Sequence, residues 1–188
     1  FIQGKEPKPL IINTTLDGDY NWYFALTRDG KPLVDPYNIF SYTFAAMAFA
    51  QLHKATGEER YAEATRRTFQ HIMERWDNPK ARWNKAHAGS RDMRALAPSM
   101  ILCNLLLEIE HLIEPQLVEE SIEKALGDVM NDFYRPELGL VVEHMNADGT
   151  LSDTFDGRLI NPGHTLETMW FVMDLARRRG DEELIRKA

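Results

Sequence analysis

Apolar positions along this chain come in two textures. From Tyr37 to Lys54 they fall on nearly every face of a helix: Ile39, Phe40, Tyr42, Phe44, Met47, Phe49 and Leu52 stand with almost no charge between them. A helix patterned in this way is buried all round. From Glu58 to Trp76 the apolar positions keep to one stripe of Tyr61, Thr65, Phe69, Ile72 and Trp76, and Glu59, Arg60, Glu63, Arg66, Arg67 and Glu74 occupy the rest. That spacing predicts an outer, amphipathic helix. The pair then repeats, with Pro98 to Leu112 predicting a buried helix and Pro115 to Phe133 an amphipathic one. Both prolines suit first helical positions, where no backbone N–H is needed. A third round opens at Asn161-Pro162-Gly163, with Asn161 as the N-cap and Pro162 as the first helical residue. The apolar run Leu166 to Ala176 follows, and Gly180-Asp181 ends it before a further outer helix.

Two short β-prone runs interrupt the helices, Trp22 to Leu26 before Asp29-Gly30 and Leu140 to Met145 before Asp148-Gly149. Asp-Gly beside such runs is a strong hairpin cue, because both residues tolerate the positive φ that tight hairpin turns require. Inner helices alternating with outer ones, with short β-hairpins in the connections, predict an all-α fold of the α/α toroid or barrel kind. An open α-solenoid of stacked helix pairs fits the same alternation without a closed ring or central pocket.

The 188 residues, 44% of them hydrophobic, are enough to bury a sizeable core, and residues 1–188 read as a single domain. A formal net charge of -7 argues against a nucleic-acid surface, which needs clustered Lys and Arg. The one dense basic run, Arg177-Arg178-Arg179, precedes Gly180 and reads as a solvated helix end, where cations suit the negative pole. The single cysteine, Cys103, lies in the apolar run Met100 to Leu107, which excludes an internal disulfide framework and fits a reducing compartment. No apolar stretch approaches the roughly 20 residues that cross a bilayer, and Phe1-Ile2-Gln3-Gly4-Lys5 does not resemble a signal peptide. The expectation is a soluble, cytoplasmic protein with no membrane or nucleic-acid partner.

Candidate chemistry concentrates in Arg158-Leu159-Ile160-Asn161-Pro162-Gly163-His164-Thr165-Leu166-Glu167. A histidine in the first turn of an otherwise apolar helix brings its polar ring to the helix mouth, where the positive end of the helix favours a neutral, basic imidazole. Glu167, three residues on, shares its face and is placed to orient the ring or meet a substrate. A satisfied core histidine beside an ordinary first-turn carboxylate explains the same pattern. Glu143, His144, His164 and Glu167 match no metal-ligand spacing, and in a strand Glu143 and His144 point to opposite faces, so no metal is expected. No Gly-Lys-Ser/Thr phosphate loop is present to place a nucleotide.

Asn161-Pro162-Gly163-His164-Thr165-Leu166-Glu167 followed by Trp170 resembles the signature of the N-acylglucosamine 2-epimerases, also called renin-binding proteins. A second block agrees in the family's order: Leu26-Thr27-Arg28-Asp29-Gly30-Lys31-Pro32, Ile39-Phe40-Ser41, and Ala55-Thr56-Gly57-Glu58 before Arg60-Tyr61. The similarity extends over nearly the whole chain and implies an (α/α)6-type barrel of which this chain covers an internal part. It assigns His164 as one of two catalytic acid/base histidines and Glu167 as the glutamate that follows it. Glu143 matches a family glutamate near the sugar, with an exposed strand residue as the alternative. Phe40 would line the pocket, or be a buried core aromatic; Arg158 would face the site, or be a surface arginine. The family's second histidine and its essential arginine match nothing here, which implies that they lie outside this chain and that the chain is inactive alone. Related cellobiose epimerases and aldose-ketose isomerases carry a Met-His pair where this chain has Met100-Ile101, which favours the N-acylglucosamine branch.

The implied reaction interconverts N-acylglucosamine and N-acylmannosamine. Histidine, with an unperturbed pKa of about 6.5, serves as acid or base near neutrality. No cofactor is required, and ATP enters only as an allosteric effector known for several relatives. A small-molecule sugar substrate and a homodimer are expected by the same resemblance. An aldose-ketose isomerase or cellobiose 2-epimerase on the same barrel, and a non-catalytic interaction protein, are the competing readings.

Overall fold

The computed structural model describes residues 20, 22–36, 38–80, 87 and 92–188. The chain divides into two compact units, 1–84 and 85–188.

In the first unit, β1 (Ala25–Leu26) and β2 (Pro32–Val34) pair antiparallel around the expected Asp29-Gly30 turn. Gly30 N donates to Thr27 O at 2.9 Å, and Thr27 Oγ1 donates to Asp29 Oδ1 at 2.6 Å. Two helices follow, α1 (Phe40–Thr56) and α2 (Glu59–Glu74). The stripe of α2 is buried at Tyr61, Thr65, Phe69 and Ile72, where it packs along Ala46, Phe49 and Ala50 of α1. Trp22 is buried against Phe49 and donates its indole N–H to Thr68 Oγ1 at 2.9 Å, so its one polar atom is satisfied. The expectation that the first inner helix is buried all round is met on one side only. α2 covers one face of α1, and Phe44 and Leu52 on other faces stay exposed.

In the second unit, β3 (Met93–Ala95) leads into α3 (Leu96–Ile109), and a 3-10 turn (Glu110–Leu112) joins it to α4 (Pro115–Gly127). A π-helical stretch (Asp128–Phe133) and β4 (Tyr134–Arg135), β5 (Leu140–Val141) and β6 (His144–Asn146) precede α5 (Pro162–Arg179) and α6 (Glu182–Lys187). α3 is the helix buried nearly all round, through Leu96, Met100, Ile101, Leu102, Cys103, Leu105, Leu106 and Ile109. Burial pushes the Cys103 thiol up to about 12, which leaves it an inert hydrophobe. Pro98 is the third residue of α3 and not the first, because Leu96 already joins the helix as its N–H donates to Glu143 O at 2.9 Å. Pro115 does open α4, and the Glu114 carboxylate caps it by accepting from Leu117 N at 2.9 Å.

The Leu140 to Met145 run does not form the hairpin expected around Asp148-Gly149. It splits: β5 pairs antiparallel with β4, and β6 with β3, some 50 residues earlier. The Asp148-Gly149 turn exists, with Gly149 N donating to Asn146 O at 2.9 Å, but the residues after it run into a loop.

At the far end, α5 stops at Gly180, whose φ of 70° is a conformation that side-chain-bearing residues avoid. Arg177-Arg178-Arg179 is more than a solvated terminus. Arg178 and Arg179 reach Glu110, Glu119 and Glu123, which ties the end of α5 to the 3-10 turn and α4. The Arg178 hydrogen bond holds the Glu119 carboxyl below the ordinary carboxylate range. Arg94 makes a second link, donating to Asp128 Oδ1 at 3.0 Å and pairing with Asp132 Oδ2 at 2.7 Å, while Ser99 Oγ donates to Asp128 Oδ2 at 2.9 Å. Among the described residues no helix is long and apolar enough to cross a membrane.

Packing outweighs these exposed ion pairs. Leu102→Ala, in the fully buried core of α3, is expected to cost about 2–5 kcal/mol in urea denaturation. Arg178→Gln is expected to cost under about 1 kcal/mol. Because the Glu119 carboxyl is depressed in the folded state, its share is present above the unfolded value of about 4.3 and is lost as pH falls through the folded value. The Arg178→Gln deficit should therefore shrink below about pH 4.

Candidate active site

The candidate site is built where a helix begins and a strand changes partner, both within the second unit. Asn161 caps α5: its Oδ1 accepts from Gly163 N at 3.1 Å and His164 N at 3.3 Å, and Pro162 takes the first helical position. The cap and ring-locked φ fix the backbone of His164 in the first turn. Further along, Thr168, Phe171, Val172, Leu175 and Ala176 form the buried stripe of α5. Thr168 is one turn beyond His164, which puts the imidazole at the open end of that stripe.

The strand supplies the partner. Val142 N donates to Phe133 O at 3.0 Å, Glu143 O accepts from Leu96 N, and the next residue, His144, pairs with Ala95. The chain therefore leaves one ladder and enters another at Glu143. Val141, Val142 and Met145 on either side are buried. The Glu143 side chain is only 7% exposed, against 38% for His164, and its Oε2 and Oε1 lie 2.9 and 3.1 Å from His164 Nδ1. A buried carboxylate needs a partner to remain tolerable, and this histidine is its hydrogen-bond partner among the described residues.

The other expected site residues are placed differently. Glu167 lies half-buried on α5, but among the described residues its carboxylate makes no hydrogen bond or ion pair, so the ring is held by Glu143 and not by Glu167. Glu143 is not the exposed strand residue of the alternative reading. Arg158 is exposed, its Nε 3.0 Å from Asp153 Oδ1, and with Phe155, Leu159 and Ile160 it lines a surface depression. Phe40 is the first residue of α1 in the first unit and is half-buried. His144 is half-buried, and its Nδ1 has no hydrogen-bond partner among the described residues.

A self-bonded loop missing from the sequence reading feeds the chain into Asn161. Ser152 Oγ and Thr154 Oγ1 are 2.9 Å apart, Thr154 Oγ1 accepts from Gly157 N at 3.2 Å, and Thr154 O accepts from Arg158 N at 3.0 Å. Gly157 passes so close to Ser152 of the same loop that a Cβ there would sit 2.2 Å from Ser152 O. The Asp156-Gly157 pair is a turn cue that pointed to it.

Helices that alternate with short antiparallel pairs match a fold of the α/α-barrel type. The crystal structure of a sugar epimerase from a ruminal bacterium superposes with a TM-score of 0.75 at 18% identity, over 95% of this chain and 48% of that one. The family model for N-acylglucosamine 2-epimerase (GlcNAc 2-epimerase) matches residues 10–188, and the chain belongs to that family. It is 34% identical over 167 residues to the N-acylglucosamine 2-epimerase of Mus musculus, covering 86% of this chain and 39% of the relative. The corresponding enzyme of Rattus norvegicus is 35% identical over 172 residues, covering 87% and 39%. The chain thus spans about two-fifths of the length of these relatives.

Gly157→Ala should destabilise the protein by about 1–3 kcal/mol, since the added methyl meets backbone rather than a flexible side chain. Hydrogen exchange should accelerate first at residues 152–160. Unchanged exchange there would show that the loop does not depend on this close approach.

Proposed function

We propose that the protein is a sugar 2-epimerase that interconverts N-acylglucosamine and N-acylmannosamine, with His164 as one of its acid/base groups. The observation that carries this reading is the Glu143–His164 contact, whose histidine belongs to the Asn161-Pro162-Gly163-His164 segment that resembles the family signature. Inversion at C2 of the open-chain sugar starts with removal of the proton alpha to the aldehyde. The C2–H electron pair moves into the C1–C2 bond and the carbonyl oxygen takes the negative charge. A proton then returns to the opposite face of C2 and the aldehyde re-forms. Two bases on opposite faces are needed, and His164 supplies one. The second histidine, and the arginine that would stabilise the enolate oxygen, are assigned to parts of the protein outside residues 1–188.

Glu167, whose carboxylate has no other partner among the described residues, is assigned to the sugar hydroxyls. Phe40 and Arg158 are assigned to the sugar pocket on the family resemblance. The acid/base route needs no cofactor. ATP as an effector, a homodimeric assembly and a cytoplasmic location complete the proposal, the last supported by a lone, buried cysteine.

Deuterium incorporation at C2 of N-acetylglucosamine and N-acetylmannosamine in D₂O tests the reading with the full-length protein. Exchange accompanied by interconversion is expected, falling about 10²-fold or more in a folded His164→Ala variant. Exchange on mannose or cellobiose alone would move the assignment to an isomerase or cellobiose epimerase. No exchange on any sugar would leave an interaction protein.

A further inference from the structure

On that reading of the site, we infer that Glu143 is a positioning residue and not a sugar contact: it keeps a proton on His164 Nδ1 and thereby makes Nε2 the atom that works on C2. Three observations carry the assignment. Both oxygens of the carboxylate lie on one ring nitrogen, 2.9 and 3.1 Å from Nδ1. The carboxylate is buried while the ring is over one-third exposed, so the ring and not the carboxylate meets the solvent side. The two backbones are fixed independently, that of His164 by the Asn161 cap and that of Glu143 by its carbonyl accepting from Leu96 N of α3, with the adjacent Val142 N donating to Phe133 O of the π-helical stretch.

An ionised carboxylate only accepts hydrogen bonds. The nitrogen it faces must therefore carry the hydrogen, and the neutral imidazole then presents its lone pair at Nε2. When Nε2 takes the C2 proton, the positive charge spreads over a ring already beside a carboxylate. That charge would otherwise face the positive end of α5 unassisted. A sugar hydroxyl has little room to compete, because the carboxylate is almost wholly enclosed and both oxygens are engaged. Among the described residues no second group orients the ring: Glu167 makes no hydrogen bond, and the Asn161 side chain is spent on backbone N–H groups.

The role predicts a split between chemistry and binding. In the full-length protein, Glu143→Gln keeps the shape but offers an amide that can donate as well as accept, so the fixed tautomer is lost. C2 exchange should fall about 10²-fold in kcat with KM within about 2-fold. Protein labelled with ¹⁵N-histidine, with the His164 signals identified by their loss in His164→Asn, should show neutral His164 protonated at Nδ1 in the wild type and a changed tautomer population in Glu143→Gln. A wild-type His164 protonated at Nε2 would overturn the inference, as would a Glu143→Gln protein whose KM rises while kcat is kept. The wild-type tautomer needs no variant to fold and no turnover to be seen. An inactive protein with the Nδ1 proton in place would defeat the epimerase reading, and the Nε2–C2 step with it, while upholding Glu143 as the group that positions the His164 ring.

Discussion

A carboxylate withdrawn from water has to be compensated, and the site is organised around that requirement. Glu143 enters the interior at the residue where its strand exchanges one partner for another. Among the described residues no Lys or Arg meets it, and its hydrogen-bond partner is a histidine held on the first turn of α5. Each member of the pair constrains the other. If α5 began a residue later, or the strand slipped by one, the side chains would face away from each other and the carboxylate would be stranded.

Much of the surrounding architecture can be understood as keeping those two backbones in register. The Asn161 cap and Pro162 fix where α5 begins, and the loop closed by Thr154 and Gly157 delivers the chain to that cap. Arg178 and Arg179 fasten the opposite end of α5 to the α3–α4 connection and α4. Arg94 and Ser99 converge on Asp128, joining β3, α3 and the π-helical stretch that feeds β4. The ion pairs contribute modestly where exposed, so within the second unit burial of apolar side chains, densest along α3, outweighs them, and the ion pairs set relative position. A half-exposed imidazole on a capped helix, oriented by a fixed carboxylate, is pre-organised for proton transfer.

Local signals made the helices legible. Asn161 and Pro162 mark the start of α5 and Gly180 its end because caps depend on neighbours in sequence. The amphipathic stripe of α2 was equally plain. Pairing over distance was not. β6 finds β3 across some 50 residues, so the Asp148-Gly149 cue suggested a hairpin that does not form. The same limit affected the site. Helical spacing put Glu167 where it could orient His164 or meet a substrate, but gave no hint that the ring's bond goes to Glu143, 21 residues earlier in the chain. Period-two alternation also fails there: Val141, Val142 and Glu143 are all buried, because the strand crosses between two ladders and does not continue in one.

The proposed epimerisation requires one atom of one ring to meet one carbon of the sugar. A crystal structure of the full-length protein with the reduced, open-chain alcohol of N-acetylglucosamine tests this most directly. The account predicts His164 Nε2 within about 3–3.5 Å of C2, with Nδ1 still on Glu143. A ligand whose C2 lies far from His164, or one whose hydroxyls bind the Glu143 carboxylate in place of the imidazole, would contradict it.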